Sequence, residues 1–119
     1  MDAISRGREA ENLACQYLKQ QGLRLVSKNY RCRRGEIDLI MTDRENLVFI
    51  EVRYRSRSHY GSGAESVQYR KQQKLIACAH NYLQRNPAAA CRPGRFDVVA
   101  ISPERDGLDI QWIPNAFTL

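Results

Sequence analysis

Residues 35–55 read GEIDLIMTDRENLVFIEVRYR. Two apolar runs, 36–41 and 47–54, flank the turn-forming TDREN, which is the pattern of a β-hairpin. Three carboxylates, Glu36, Asp38 and Glu51, interrupt it. Strand interiors normally exclude acids. Alternation puts Ile37, Leu39 and Met41 on one face, with Glu36, Asp38 and Ile40 on the other. On the second strand Val48, Ile50 and Val52 share a face, and Phe49, Glu51 and Arg53 share the opposite one. A turn centred between Arg44 and Glu45 sets Asp38 across from Glu51, and Glu36 across from Arg53. Facing Cβ atoms in such a pair lie about 5 Å apart. Two carboxylates at that spacing repel by about 3 kcal/mol at an effective dielectric near 20. A divalent cation relieves this, because hard cations take carboxylate oxygens as ligands. A neighbouring arginine also relieves it, and spacing alone leaves both readings open.

The flanking chain completes an α/β order. Residues 5–21 form a helix with the stripe Ala10, Leu13, Ala14, Tyr17 and Leu18, stopped by Gly22. Residues 23–30 read as a strand, and RCRRG connects it to the hairpin. RSRSHYGSGAE is a loop with glycines at 61 and 63, and 66–84 is a second helix with the stripe Leu75, Cys78, Ala79, Tyr82 and Leu83. Residues 96–101 form a strand, and a last strand over 108–113 is stopped by Pro114. The expectation is one domain over residues 1–119, with a mixed sheet flanked by two helices.

Composition narrows the class. No apolar run reaches the ~18 residues of a membrane span, and the N-terminus lacks the apolar core of a secretory signal. Both point to the cytosol. The four cysteines, Cys15, Cys32, Cys78 and Cys91, form no CxxC motif, and they read as unpaired thiols. Nineteen Lys and Arg against thirteen Asp and Glu leave a charge of +6. The excess clusters at Arg31, Arg33 and Arg34, at Arg53, Arg55 and Arg57, at Arg70, Lys71 and Lys74, and at Arg92 and Arg95. Such a surface favours polyanions, although solvated basic faces are common.

Two further groups align with the hairpin acids. Glu9 and Glu11 edge the stripe of the first helix, and Glu11 lies in line with Ala14 and Leu18. Gln68 and Lys71 continue the line of Leu75, Cys78 and Tyr82 toward the start of the second helix. Each also has an ordinary reading as a surface residue.

An acid in the first helix, then an Asp, then Glu-x-Lys on consecutive strands and a polar second helix is the order of the PD-(D/E)XK nucleases, which this chain resembles. More closely, GREAENLACQYL, NYRCRRGEIDLI, VFIEVRYRS, YRKQQKL and RFDVV resemble the YraN family of small bacterial proteins. The resemblance implies an αβββαβ restriction-endonuclease-like core similar to Holliday-junction resolvases. It implies Glu11, Asp38, Glu51, Arg53 and Lys71 as catalytic positions. Mg²⁺ or Mn²⁺ would sit on Asp38, Glu51 and the Val52 carbonyl. Arg53 stands where these nucleases usually carry lysine. Arginine keeps the charge and grips phosphate in a fork, but it stays protonated and cannot act as a general base.

The expected partner is nucleic acid, DNA rather than RNA, held by Arg31, Arg33, Arg34, Arg55, Arg57, Gln68 and Lys74. The expected activity is metal-dependent endonuclease cleavage of DNA, with branched or junction DNA included. Resolvase-like relatives act as dimers, which extends the expectation to a homodimer. The alternatives are a module of this fold that binds nucleic acid without cutting, and a basic interaction protein for an acidic protein partner.

Overall fold

A computed structural model describes residues 3–54, 68–105 and 107–118, with side chains from residue 7 onward. The order is α1 (Ala3–Gln20), β1 (Arg24–Cys32), β2 (Gly35–Asp43), β3 (Asn46–Tyr54), α2 (Tyr69–Arg85), a 3-10 turn (Ala89–Cys91), β4 (Gly94–Glu104) and β5 (Gly107–Phe117). The five strands form one sheet in the order β1-β2-β3-β4-β5. β3 and β4 run parallel, and the other neighbours are antiparallel. The expected mixed sheet with two helices is therefore present. The loop read at 55–65, with Gly61 and Gly63, and the first turn expected for the second helix lie outside the described residues.

α1 ends as its sequence dictates. Gly22 adopts φ 103°, its N–H donates to the Lys19 carbonyl, and the Leu23 N–H donates to the Leu18 carbonyl. This is a Schellman closure, which wants glycine at the left-handed position.

The helices occupy opposite faces. Ala10, Ala14, Cys15 and Leu18 of α1 pack on Leu39, Met41, Val48, Ile50, Val99 and Ile101. Leu75, Cys78, Ala79 and Tyr82 of α2 pack on Ile37, Ile40, Leu47, Phe49, Phe96 and Val98. The sheet is thus buried on both sides, and this explains the long apolar runs in β2, β3 and β4.

Three expectations are corrected. First, Ile37 does not share a face with Leu39 and Met41: it joins Ile40 against α2. The alternation breaks at Asp38, for a reason visible at the site below. Second, β5 does not stop at Pro114. It is an edge strand, where a residue without an N–H is tolerated. The pairing shifts between Val98↔Ile113 and Phe96↔Phe117, so residues 114–116 bulge out, with Asn115 at φ 53°. Third, Cys32 and Cys78 are not free thiols. They form a disulfide with Cα atoms 5.5 Å apart, across 46 residues of sequence. Cys15 and Cys91 remain free. The end of β1 packs under α2, which brings together two cysteines that no short motif links. Closing a loop of that length restricts the unfolded chain, so reduction should lower stability by about 2–4 kcal/mol. Urea titrations with and without dithiothreitol measure it, and coincident curves would show that the bridge contributes nothing.

Candidate metal centre and nucleic-acid interface

The hairpin register follows the turn. Asp43↔Asn46, Thr42↔Leu47, Met41↔Val48, Ile40↔Phe49 and Leu39↔Ile50 are paired, and there the β2–β3 ladder ends. Asp38 is the first residue beyond it. Its Oδ2 accepts the Val52 N–H at 2.8 Å, so a carboxylate takes the donor that a backbone carbonyl would otherwise satisfy.

The neighbouring strand bends at the same step. Lys28↔Leu39 and Tyr30↔Ile37 are paired, and Asn29 and Asp38 between them are skipped. Asn29 has φ 53°, in the left-handed region, which asparagine tolerates better than most residues. β1 and β2 therefore turn over together by one residue. That reversal sends Ile37 to the α2 face and frees Asp38 to reach between β2 and β3.

Glu51 follows Phe49 toward α2 and is 3% exposed. The ammonium of Lys71, from the first turns of α2, forms an ion pair with its Oε2. Lys71 remains half exposed, so its charge meets Glu51 at the rim of the site. Asp38 and Glu51 are also bonded to each other. Burial, the hydrogen bond to Glu51 and the Glu51 charge together push the Asp38 carboxyl up from 3.8 to about 9, against the opposing pull of the Val52 N–H. The ladder stops one step short of the pair expected from the register, at Leu39↔Ile50, and the two carboxyl groups still lie close enough for each to act on the other.

A second group of acids shares Asp38. One carboxylate oxygen each from Glu11, Glu36 and Asp38 lie within 4.8 Å of one another. α1 delivers Glu11 because the stripe on either side of it, Ala10 and Ala14, is buried against the sheet. Glu9 points to solvent. The Glu36 expectation is corrected: its visible partners are on β1, not Arg53. It pairs with Arg31 Nε at 3.4 Å and accepts from Asn29 Nδ2 at 2.8 Å. The same amide donates to Glu11 Oε1 at 2.8 Å. β2 leaves β3 after Leu39, and this places Glu36 beside β1 instead.

The structure thus brings Glu11, Asp38, Glu51 and Lys71 together and adds Glu36 and Asn29, which the sequence reading did not select. The signal for Asn29 was an asparagine inside an alternating strand, where it has poor intrinsic fit. By strand alternation Arg53 extends from the face that carries Phe49 and Glu51.

The expected nucleic-acid residues divide. Arg33 and Arg34 form the exposed turn between β1 and β2, and Gln68 and Lys74 are exposed at the start of α2. Gly35 lies under Lys74, whose Cβ would sit 3.7 Å from a side chain there. This contact and the Cys32–Cys78 bridge bring the turn and α2 together, beside Lys71. Arg31 is exposed but engaged with Glu36. Arg55 and Arg57 lie outside the described residues. No helix among the described residues is long and apolar enough to cross a membrane.

The model of the Uncharacterised protein family UPF0102 matches residues 10–101, a span that contains every acid of this site. A UPF0102 protein of Nitrosococcus oceani is 54% identical over 112 residues, covering 94% of this chain and 90% of its own. One from Stutzerimonas stutzeri is 51% identical over 116 residues, covering 98% and 97%. One from Pseudomonas aeruginosa is 47% identical over 118 residues, covering 94% and 91%. With similarity of this depth running through both helices and the acid-bearing hairpin, the chain belongs to the UPF0102, or YraN, family.

Proposed function

We propose that this protein is a divalent-metal-dependent endonuclease acting on DNA, branched DNA included. The observation that carries the reading is the Asp38–Glu51 pair. Two carboxyl groups, that of Glu51 almost fully buried, lie side by side, and burial together with the Glu51 charge raises the Asp38 carboxyl well above its usual range. A fold gains no stability from such an arrangement. The donor set fits a small hard cation: it is all oxygen, and a dication would offset the repulsion between the two carboxylates.

Asp38, Glu51 and the Val52 carbonyl would hold Mg²⁺ or Mn²⁺, with Glu11 and Glu36 beside them. Bound there, the metal supplies an activated water and offsets the charge of the scissile phosphate. The chain's own residues set the frame. The Val52 N–H fixes the Asp38 carboxyl. Lys71 anchors Glu51 and puts a positive charge at the site rim. Arg53 offers a forked cation for the non-bridging oxygens, without the capacity to remove a proton. Arg33, Arg34, Gln68 and Lys74 meet the backbone on either side, which gives affinity without sequence readout.

Arg53 also supports a second reading, in which the fold binds nucleic acid and does not cut. Incubation of linear and four-way DNA with Mg²⁺ or Mn²⁺ separates the two. Product from the wild type that is lost in Asp38→Ala and Glu51→Ala is the expected result. Salt-dependent binding without product selects the binding module. Absence of both binding and product sinks both readings and favours an acidic protein partner.

A further inference from the structure

We propose that a cleft at the end of the sheet away from the acids binds a phosphodiester group of the DNA. The proposal rests on the nucleic-acid part of the reading above and on none of its metal chemistry. The cleft lies between the start of β1, the β2–β3 turn and the chain that leaves the 3-10 turn. It measures about 350 Å³ and is lined by Gly22, Arg24, Thr42, Arg44 and Arg92. A second hollow of about 280 Å³ shares Arg44 and Arg92 with it.

Three separate backbone constraints bring the arginines together. Arg24 pairs with Thr42 in the β1–β2 ladder. Their neighbours Leu25 and Met41 pack toward α1, so Arg24 and Thr42 project on the α2 side. Arg44 opens the two-residue turn closed by Asp43↔Asn46. Arg92 follows the 3-10 turn, and the Leu47 N–H donates to the Pro93 carbonyl at 2.8 Å. That bond holds Arg92 beside the β2–β3 turn.

The charge at this end is uncompensated. None of the three arginines forms an ion pair among the described residues, whereas Arg31 and Arg95 do. Asp43, next to Arg44, is engaged by Arg95 at 3.0 Å. Glu45 lines the second hollow, which leaves three cations against one carboxylate. Like charges held together repel. α1 does not require them as caps, because its Lys19 and Leu18 carbonyls accept the Gly22 and Leu23 N–H groups.

The turn also departs from its local preference. Arg44 adopts φ 58°, where a two-residue hairpin turn favours glycine or asparagine. Departures of this kind concentrate at functional positions. Guanidinium forks match phosphate oxygens, and the Thr42 hydroxyl adds a neutral donor. Thr42 lies four residues from Asp38 along β2, about 13 Å at 3.3 Å per residue. A phosphate held here is therefore a different one from any at the acids, and the two contacts together fix the orientation of the DNA.

The test is anisotropy of labelled four-way DNA in EDTA, from about 50 to 200 mM NaCl. Arg44→Gly/Arg92→Gln should bind about 10-fold more weakly than wild type, and the slope of log K against log salt should fall by about 2. Its melting temperature should not fall, because glycine adopts the left-handed state freely. A charge-matched variant at exposed positions elsewhere, Lys28→Gln/Arg105→Gln, should bind nearly as wild type. Equal losses in the two variants would show an effect of net charge alone and overturn the proposal. Wild-type binding in the cleft variant, with binding lost in Arg33→Gln/Arg34→Gln, would overturn it and leave the nucleic-acid reading intact. No binding by the wild type at low salt would remove that reading and the proposal with it. Orthophosphate that raises the wild-type melting temperature but not that of a cleft variant with unchanged DNA affinity would assign the cleft to free phosphate compounds and overturn the DNA contact. A lowered melting temperature with unchanged DNA affinity would assign the arginines to the scaffold and overturn it as well.

Discussion

Replacing Asp38 with asparagine will make the metal-free protein more stable and abolish its response to Mn²⁺. The isosteric amide reproduces both local bonds. Its oxygen accepts the Val52 N–H and its NH₂ donates to Glu51, as the protonated carboxyl does. It removes only the ionisation. The sign follows from linkage. The Asp38 carboxyl titrates near 3.8 in an unfolded chain and near 9 in the fold. Between those values the native state binds more protons than the unfolded state, so stability falls as pH rises through that window. At about pH 8 the wild type in EDTA forgoes about 2–4 kcal/mol that it holds near pH 4, and Asp38→Asn does not. The melting temperature of the variant should exceed that of wild type by on the order of 10 °C at pH 8, with the gap closing toward pH 4. Mn²⁺ should raise the wild-type midpoint and leave the variant unmoved, its affinity reduced more than about 100-fold. A variant less stable than wild type in EDTA at pH 8 would mean that Asp38 is an ordinary ionised partner in the fold.

The largest loss of stability should come from Asp97→Ala, at the other buried acid. Asp97 is fully buried on β4. Arg95 Nε donates to its Oδ1 at 2.9 Å and Nη2 to its Oδ2 at 3.2 Å. Trp112 Nε1 donates at 2.9 Å, and so does the Asn115 backbone N–H. Arg95 also reaches Asp43 at 3.0 Å, tying in the end of β2. The bonds to Asp97 hold the Arg95 guanidinium above its already high range. Removing the carboxylate leaves an indole N–H and a backbone N–H without their acceptor, and leaves the half-buried Arg95 guanidinium with Asp43 alone. Such losses cost about 3–5 kcal/mol, a large part of a typical domain's 5–15 kcal/mol. Asp97→Asn keeps one acceptor and should fall between the two. Urea unfolding of the three proteins gives the order, and an Asp97→Ala midpoint equal to wild type would show that β5 is held by its ladder alone. Neither variant touches Asp38, so Mn²⁺ binding per folded molecule should persist in both.

These two acids show what could be read from the chain. For Asp38 and Glu51 the turn sets the register as far as Leu39↔Ile50, one step short of the pair. The two acids are legible because a charge within an apolar strand stands out. The same logic applied to the RFDVV run would have picked out Asp97, an acid within a β-branched strand and two residues from an arginine. The hairpin faces failed at Asp38 because alternation presumes an unbroken ladder, and a left-handed Asn29 is a backbone state that composition does not announce. An unbroken ladder would set Glu36 across from Arg53, whereas the reversal sets it beside Arg31 of β1. The Cys32–Cys78 bridge depends on the packing of α2, 46 residues away. The continuation of β5 past Pro114 depends on that strand being an edge, which is a property of the whole sheet. The helix stripes and the Gly22 stop were legible because they are local.

The reversal at Asn29 and Asp38 has a consequence for motion. It divides one hairpin between two neighbours. Its inner part meets α1 through Leu39 and Met41 and α2 through Ile40. Its outer part, through Tyr30, Cys32 and Ile37, packs with α2 and is tied to it by a covalent bond. Amides on the outer part therefore depend on α2 and its bridge, whereas those on the inner part are held from both faces and should exchange more slowly. Glu11 comes from α1, Lys71 from α2, and Asp38 from the seam between the parts. Contacts across that seam therefore couple the exchange of the outer part to that of the inner one.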